Sequence, residues 1–226
     1  MQDRRHSAEK GSHANAMSMA SRRESPRLYL VTPPLGDPGA LADDLAAALN
    51  AADIAAVLLR LADGEERELI ARIEVLRILI QSNGAALLLD GHPKLVARNQ
   101  ADGAHLTGTE AFKAAAAVLK PNFIAGCAGL ASRHEAMLAG ETGADYVMFG
   151  EPDRDGHRPR FEAVLERVAW WAEVMTIPCV SYAERLDEIE PLVQAGAEFV
   201  AVGDNIWRGQ MRAAIDALAR APEPVR

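Results

Sequence analysis

The chain has 226 residues, 49% of them hydrophobic and 25% charged. That is enough apolar material for one core, and α/β barrels routinely run past about 200 residues as one domain. A formal net charge of −8 sets like charge against the phosphates of a nucleic acid, and nowhere do about 18 apolar residues follow one another as a membrane span needs, so neither partner is expected.

The basic, Ser-rich N-terminus lacks the apolar stretch of a secretory signal, and the chain reads as cytoplasmic. Cys127 and Cys179 are too few for a disulfide framework and lack the spacing of a metal site. Small, apolar, buried roles are expected for both. Residues 1–26 are polar without apolar periodicity and read as a disordered extension; residues 27–222 read as one domain.

From Arg27 the pattern changes. The run Leu28-Tyr29-Leu30-Val31 ends in Thr32-Pro33-Pro34 and is followed by a helix-like stretch from Pro38 to Asn50. The same alternation recurs, with further strands expected at 55–61, 85–89, 104–106, 123–127, 146–149, 178–180 and 199–202. A helix is expected after each, the last from Trp207 to Arg220. Parallel neighbours need crossover helices, and strands covered on both faces read as continuous apolar runs. Eight repeats of that unit predict an α/β fold, a single (β/α)₈ TIM barrel. Three similar turns support the register: Ala101-Asp102-Gly103, Gly143-Ala144-Asp145 and Gly196-Ala197-Glu198, each read as a glycine past a helix with an acid before a strand.

In such a barrel, reacting groups stand at the strand C-termini, and phosphate is often held by the last two loops. The strand ends, in order, are Thr32, Arg60, Asp90 with His92, Thr107 with Gly108, Cys127 to Gly129, Gly150-Glu151, Ser181-Tyr182 and Gly203-Asp204-Asn205. Arg60 ends an apolar strand, where a cation needs an anionic ligand or an ion pair with Asp90. Asp90 suits a metal, a substrate donor or a helix cap. His105, within Ala104-His105-Leu106, is either a hydrogen-bonded interior histidine or a proton carrier. Candidate catalytic residues are thus Arg60, Asp90 and His105; candidate ligand-binding residues are Arg60, His92, Gly150, Ser181, Gly203 and Asp204, with Asp90 as the metal ligand. The charged loop 151–160 is either a lid or a solvated segment.

Together these segments resemble the thiamine phosphate synthase family, which also includes a thiazole tautomerase of the same barrel fold. Leu28-Tyr29-Leu30-Val31-Thr32 looks like its Leu-Tyr-hydrophobic-hydrophobic-Thr opening, and Ala101-Asp102-Gly103-Ala104-His105-Leu106 like its Ala-Asp-Gly-hydrophobic-His-hydrophobic segment. Gly143-Ala144-Asp145-Tyr146-Val147 and Ala195-Gly196-Ala197 follow in the expected order.

The resemblance implies joining of a pyrimidine methyl pyrophosphate to a thiazole phosphate, with Mg²⁺ on the departing pyrophosphate. The chain departs from the family's pattern at several strand ends. Gln-x-Arg-x-Lys becomes Leu58-Leu59-Arg60-Leu61-Ala62, and Asn-Asp-Asp becomes Asp90-Gly91-His92. The seventh strand's Gly-Gly is absent from Val180-Ser181-Tyr182-Ala183-Glu184. Two alternatives to the synthase stay open: a non-catalytic barrel that binds thiamine phosphate or another small phosphorylated ligand, and a different phosphate-handling enzyme using Asp90, His105 and the 151–160 loop. The expected partners are a small phosphorylated molecule and, for a homodimer, a second copy of the chain.

Overall fold

A computed structural model describes residues 25–153 and 155–221, so nearly all of the extension expected at 1–26 lies outside the described residues. From Arg27 the chain alternates as the hydrophobic pattern dictates. The strands are β1 (Arg27–Val31), β2 (Ile54–Leu59), β3 (Ala86–Asp90), β4 (Gly103–Thr107), β5 (Ile124–Ala128), β6 (Tyr146–Phe149), β7 (Cys179–Ala183) and β8 (Phe199–Val202). The helices are α1 (Gly39–Ala51), α2 (Glu66–Ser82), α3 (Thr109–Leu119), α4 (Arg133–Glu141), α5 (Phe161–Val174), α6 (Leu186–Gln194), α7 (Asp204–Trp207) and α8 (Met211–Arg220).

Among the described residues the eight strands form one closed parallel barrel in sequence order, the (β/α)₈ architecture. Closure comes from β1 pairing with β8, Leu28 opposite Val200 and Leu30 opposite Val202. Alternation along each strand divides the apolar residues between two layers. Tyr29, Val31, Ala56, Leu58, Leu88, Tyr146, Met148, Val180, Tyr182 and Ala201 fill the barrel interior. Their strand neighbours, such as Leu28, Leu30, Val57, Leu59, Leu87 and Leu89, pack outward against the helices.

Two expected helices differ from the structure. After β3 there is only a 3₁₀ turn at Pro93–Leu95, closed by Gln100 in the left-handed region (φ 53°). Only 12 residues separate Asp90 from Gly103, and proline lies near their start, so a crossover helix of several turns has no room. Leu95 and Val96 instead plug the outer layer. The helix expected from Trp207 to Arg220 is divided at Arg208–Gln210 into α7 and α8.

The repeated turn has a structural use. Gly143 and Gly196 take positive φ (97° and 105°) just after α4 and α6, the conformation that ends a helix without a Cβ clash. Gly103 lies inside β4, where a Cβ would overlap Ile124 of β5. The acids tether neighbouring strands. Asp102 accepts from the backbone N–H of Leu87 at 2.8 Å, Asp145 from Ala125 at 2.7 Å and Glu198 from Cys179 at 2.9 Å.

Candidate functional site

The inward faces of β2, β3 and β4 carry the polar groups at the C-terminal mouth. Arg60 continues the inward parity of Ala56 and Leu58, and Asp90 that of Leu88. Arg60 Nε donates to Asp90 Oδ2 at 3.2 Å, with the two side chains 31% and 29% exposed. The Arg60 backbone N–H donates to Thr32 Oγ1 at 3.0 Å, fixing where the guanidinium leaves β2. Asp90 pairs in register with His105 on β4. Arg60, Asp90 and His105 therefore stand side by side on three successive strands.

Below them runs a buried chain of hydroxyls. His105 Nδ1 lies 2.8 Å from the Tyr146 hydroxyl, which lies 2.9 Å from the Tyr29 hydroxyl. Both tyrosines are fully buried. The imidazole lies nearly parallel to the Tyr146 ring (20° between planes, centroids 5.7 Å apart). Glycine at 126 makes this possible, since a Cβ there would overlap that ring. Burial pushes both phenols well above their ordinary titration range, so they stay protonated and serve as hydrogen-bond donors and acceptors.

Glu151, just past β6, turns back into the mouth. Its Oε1 accepts from the Gly129 backbone N–H at 3.0 Å, and its Oε2 lies 3.5 Å from His105 Nε2. Gly129 holds a positive φ of 66°, which aims that N–H. Loop 151–160 is anchored rather than loose at Arg158, whose guanidinium binds the Tyr182 carbonyl at 3.2 Å, Glu184 at 3.0 Å and Glu188 at 2.9 Å. Glu188 is 1% exposed and also accepts from the Glu184 backbone N–H at 2.9 Å, so a carboxylate of the chain itself takes up that donor after β7.

The other candidates are dispersed. His92 is part-buried in the turn that precedes Pro93. Gly150 is buried with φ 87° against Val164. Ser181 alternates with the inward Val180 and Tyr182 and so faces the helix layer, where its hydroxyl is buried without a hydrogen-bond partner. Gly203 lies beneath the Tyr182 hydroxyl, which a Cβ would approach to 2.6 Å, and Asp204 opens α7. A groove of about 400 Å³ between the β7 and β8 loops is lined by Glu184, Arg185, Asp187, Asn205 and Gln210.

Sequence reasoning does not select Tyr29, Tyr146 or Arg158 as site residues, and it names Glu151 only as part of the sixth strand end, without a role. The tyrosines sit in apolar runs that read as core. Glu151 had one signal, a carboxylate directly after an apolar strand and before a proline.

The sequence profile of the family described as thiamine monophosphate synthase matches residues 28–206. A thiamine-phosphate synthase of Rhodospirillum centenum is 44% identical over 184 residues, 80% of this chain and 89% of the relative. One of Hyphomonas neptunium is 37% identical over 199 residues, 83% of this chain and 89% of the relative. A solved thiamine phosphate pyrophosphorylase from Pyrococcus furiosus superposes with a TM-score of 0.72 over 88% of this chain and 98% of that one, and at 21% identity it speaks for the fold. A barrel that closes in this order, matched by that profile over most of its length and by relatives of this identity, belongs to the thiamine monophosphate synthase family.

Proposed function

We propose that the chain joins a pyrimidine methyl pyrophosphate to a thiazole phosphate, giving thiamine phosphate and pyrophosphate. The C–O bond to pyrophosphate breaks and the leaving group keeps the electron pair. A C–N bond then forms between the pyrimidine's methylene carbon and the thiazole nitrogen. The observation that carries the reading is the convergence of Arg60, Asp90 and His105 on one face of the mouth, above the Tyr146–Tyr29 chain. A cation at the rim serves the pyrophosphate, because charge on the leaving group grows in the transition state and a fixed guanidinium stabilises it there. The buried Tyr146–Tyr29 hydroxyls hold the His105 imidazole from below, so that the polar groups at the mouth are fixed before a ligand arrives.

Mg²⁺ is commonly bound through one or two carboxylates together with substrate phosphates. Asp90 meets that requirement: Oδ2 accepts from Arg60, and Oδ1 has no protein partner among the described residues. Bound there with the pyrophosphate, the ion would neutralise the departing charge. Gly203, after β8, is proposed for the thiazole phosphate.

The test is incubation of the purified protein with both precursors and Mg²⁺, with thiamine phosphate as the readout. Arg60→Ala is expected to lower kcat/KM by about 10²–10³-fold, the usual cost of removing a group that stabilises transition-state charge. A wild-type protein that makes no product, while its Tm rises with thiamine phosphate, would replace the synthase by the non-catalytic binder.

A further inference from the structure

We infer that Glu151 is a positioning residue: its carboxylate holds the imidazole of His105 as the Nε2–H tautomer and so gives the Tyr29–Tyr146–His105 chain a single direction. The inference rests on the reaction proposed above for its consequence in turnover, but not for its geometry.

The Gly129 N–H fixes one carboxylate oxygen at 3.0 Å. The other, Oε2, is buried without a hydrogen-bond partner and lies 3.5 Å from His105 Nε2. An ionised carboxylate only accepts, and a buried oxygen left unpaired is costly, so the nearby ring nitrogen is favoured as N–H over a bare lone pair. Nδ1 is then the acceptor. The Tyr146 O–H donates to it at 2.8 Å, and the Tyr146 oxygen accepts from the Tyr29 O–H at 2.9 Å. Both tyrosine protons then have an acceptor, and the Nε2–H faces the carboxylate.

The opposite sense fails on two counts. With Nδ1–H donating, Tyr146 donates to Tyr29, whose own proton has no acceptor among the described residues. The Nε2 lone pair would meanwhile face the carboxylate. The two senses differ at both buried ends of the chain, and Glu151 sets the preference at the His105 end. In the proposed reaction this fixes the ring edge presented at the mouth.

Nitrogen-15 NMR of the histidine rings in the free protein reads the tautomer directly, with the His105 signals assigned by their loss in His105→Asn. The expected wild-type pattern is a protonated Nε2 and a pyridine-like Nδ1. Glu151→Ala is expected to bring in the Nδ1–H form. In turnover, Glu151→Ala is expected to lower kcat by about 10-fold or more, with KM for the pyrophosphate substrate changed far less. If Glu151→Ala does not fold, the wild-type spectrum and Glu151→Asp, expected to keep the Nε2–H form, decide the matter. An Nδ1–H ring in the wild type, ring nitrogens indifferent to Glu151→Ala, or a change confined to KM would overturn the inference. A wild type with the expected tautomer and no product would count against the proposed reaction alone.

Discussion

Gly126 is the smallest residue on β5 because the Tyr146 ring occupies the space where its Cβ would be. Gly126→Ala is therefore expected to cost about 1–3 kcal/mol, the range for overpacking a filled interior, seen as a lower Tm. The change should also break the His105–Tyr146 contact, so activity should fall with stability. The two thiols make a different prediction. Both are fully buried, and burial pushes Cys127 up from 9.0 to about 12 and Cys179 well above its usual value. A folded-state value above the unfolded one means that stability is whole below about 9 and is lost as pH rises toward 12. A pH series of Tm should be level near neutrality and fall across that alkaline window; a fall that starts below it would refute this assignment. At the same scale the site was only half legible. Arg60, Asp90 and His105 announce themselves as polar residues in apolar strands. Tyr29 and Tyr146 read as core, because the hydrogen bond that joins them spans 117 positions.

Between elements, the acidic turn residues matter as tethers. Asp102, Asp145 and Glu198 each precede a strand and bind a backbone N–H at the first or second residue of the strand before it, and Lys120 pairs with Asp145. Asp145→Ala should lower stability by about 1–2 kcal/mol, because a charge-assisted bond is lost and the Ala125 N–H is left unpaired near the barrel floor. Chemical denaturation would read the loss, with kcat unchanged because the site lies at the other rim. Sequence repetition showed that the turn was shared. It could not show the tether, whose partner lies on another strand, and it placed Gly103 after a helix that does not exist. The apolar residues after β3 carry the same composition as a helix face; the shortness of the segment and Pro93 were the contrary signals. Strand existence was far easier to read, since Val, Leu and Ala runs buried on both faces leave few other readings.

At the scale of the whole barrel, the count of alternating units made the architecture legible, while closure depends on β1 meeting β8 across the entire chain. The convergence of the strand ends follows from that closure, which is why Arg60, Asp90 and His105 share a face and Ser181, one residue out of phase, does not. The Arg158 clasp bears on how a substrate gets in. With one guanidinium holding the carbonyl of Tyr182, the carboxylate of Glu184 just past β7 and that of Glu188 in α6, that side of the rim behaves as a fixed jamb. A ligand at the mouth meets that side already in place, while the Arg60–Asp90 pair on β2 and β3 keeps 31% and 29% of its side-chain surface open to solvent.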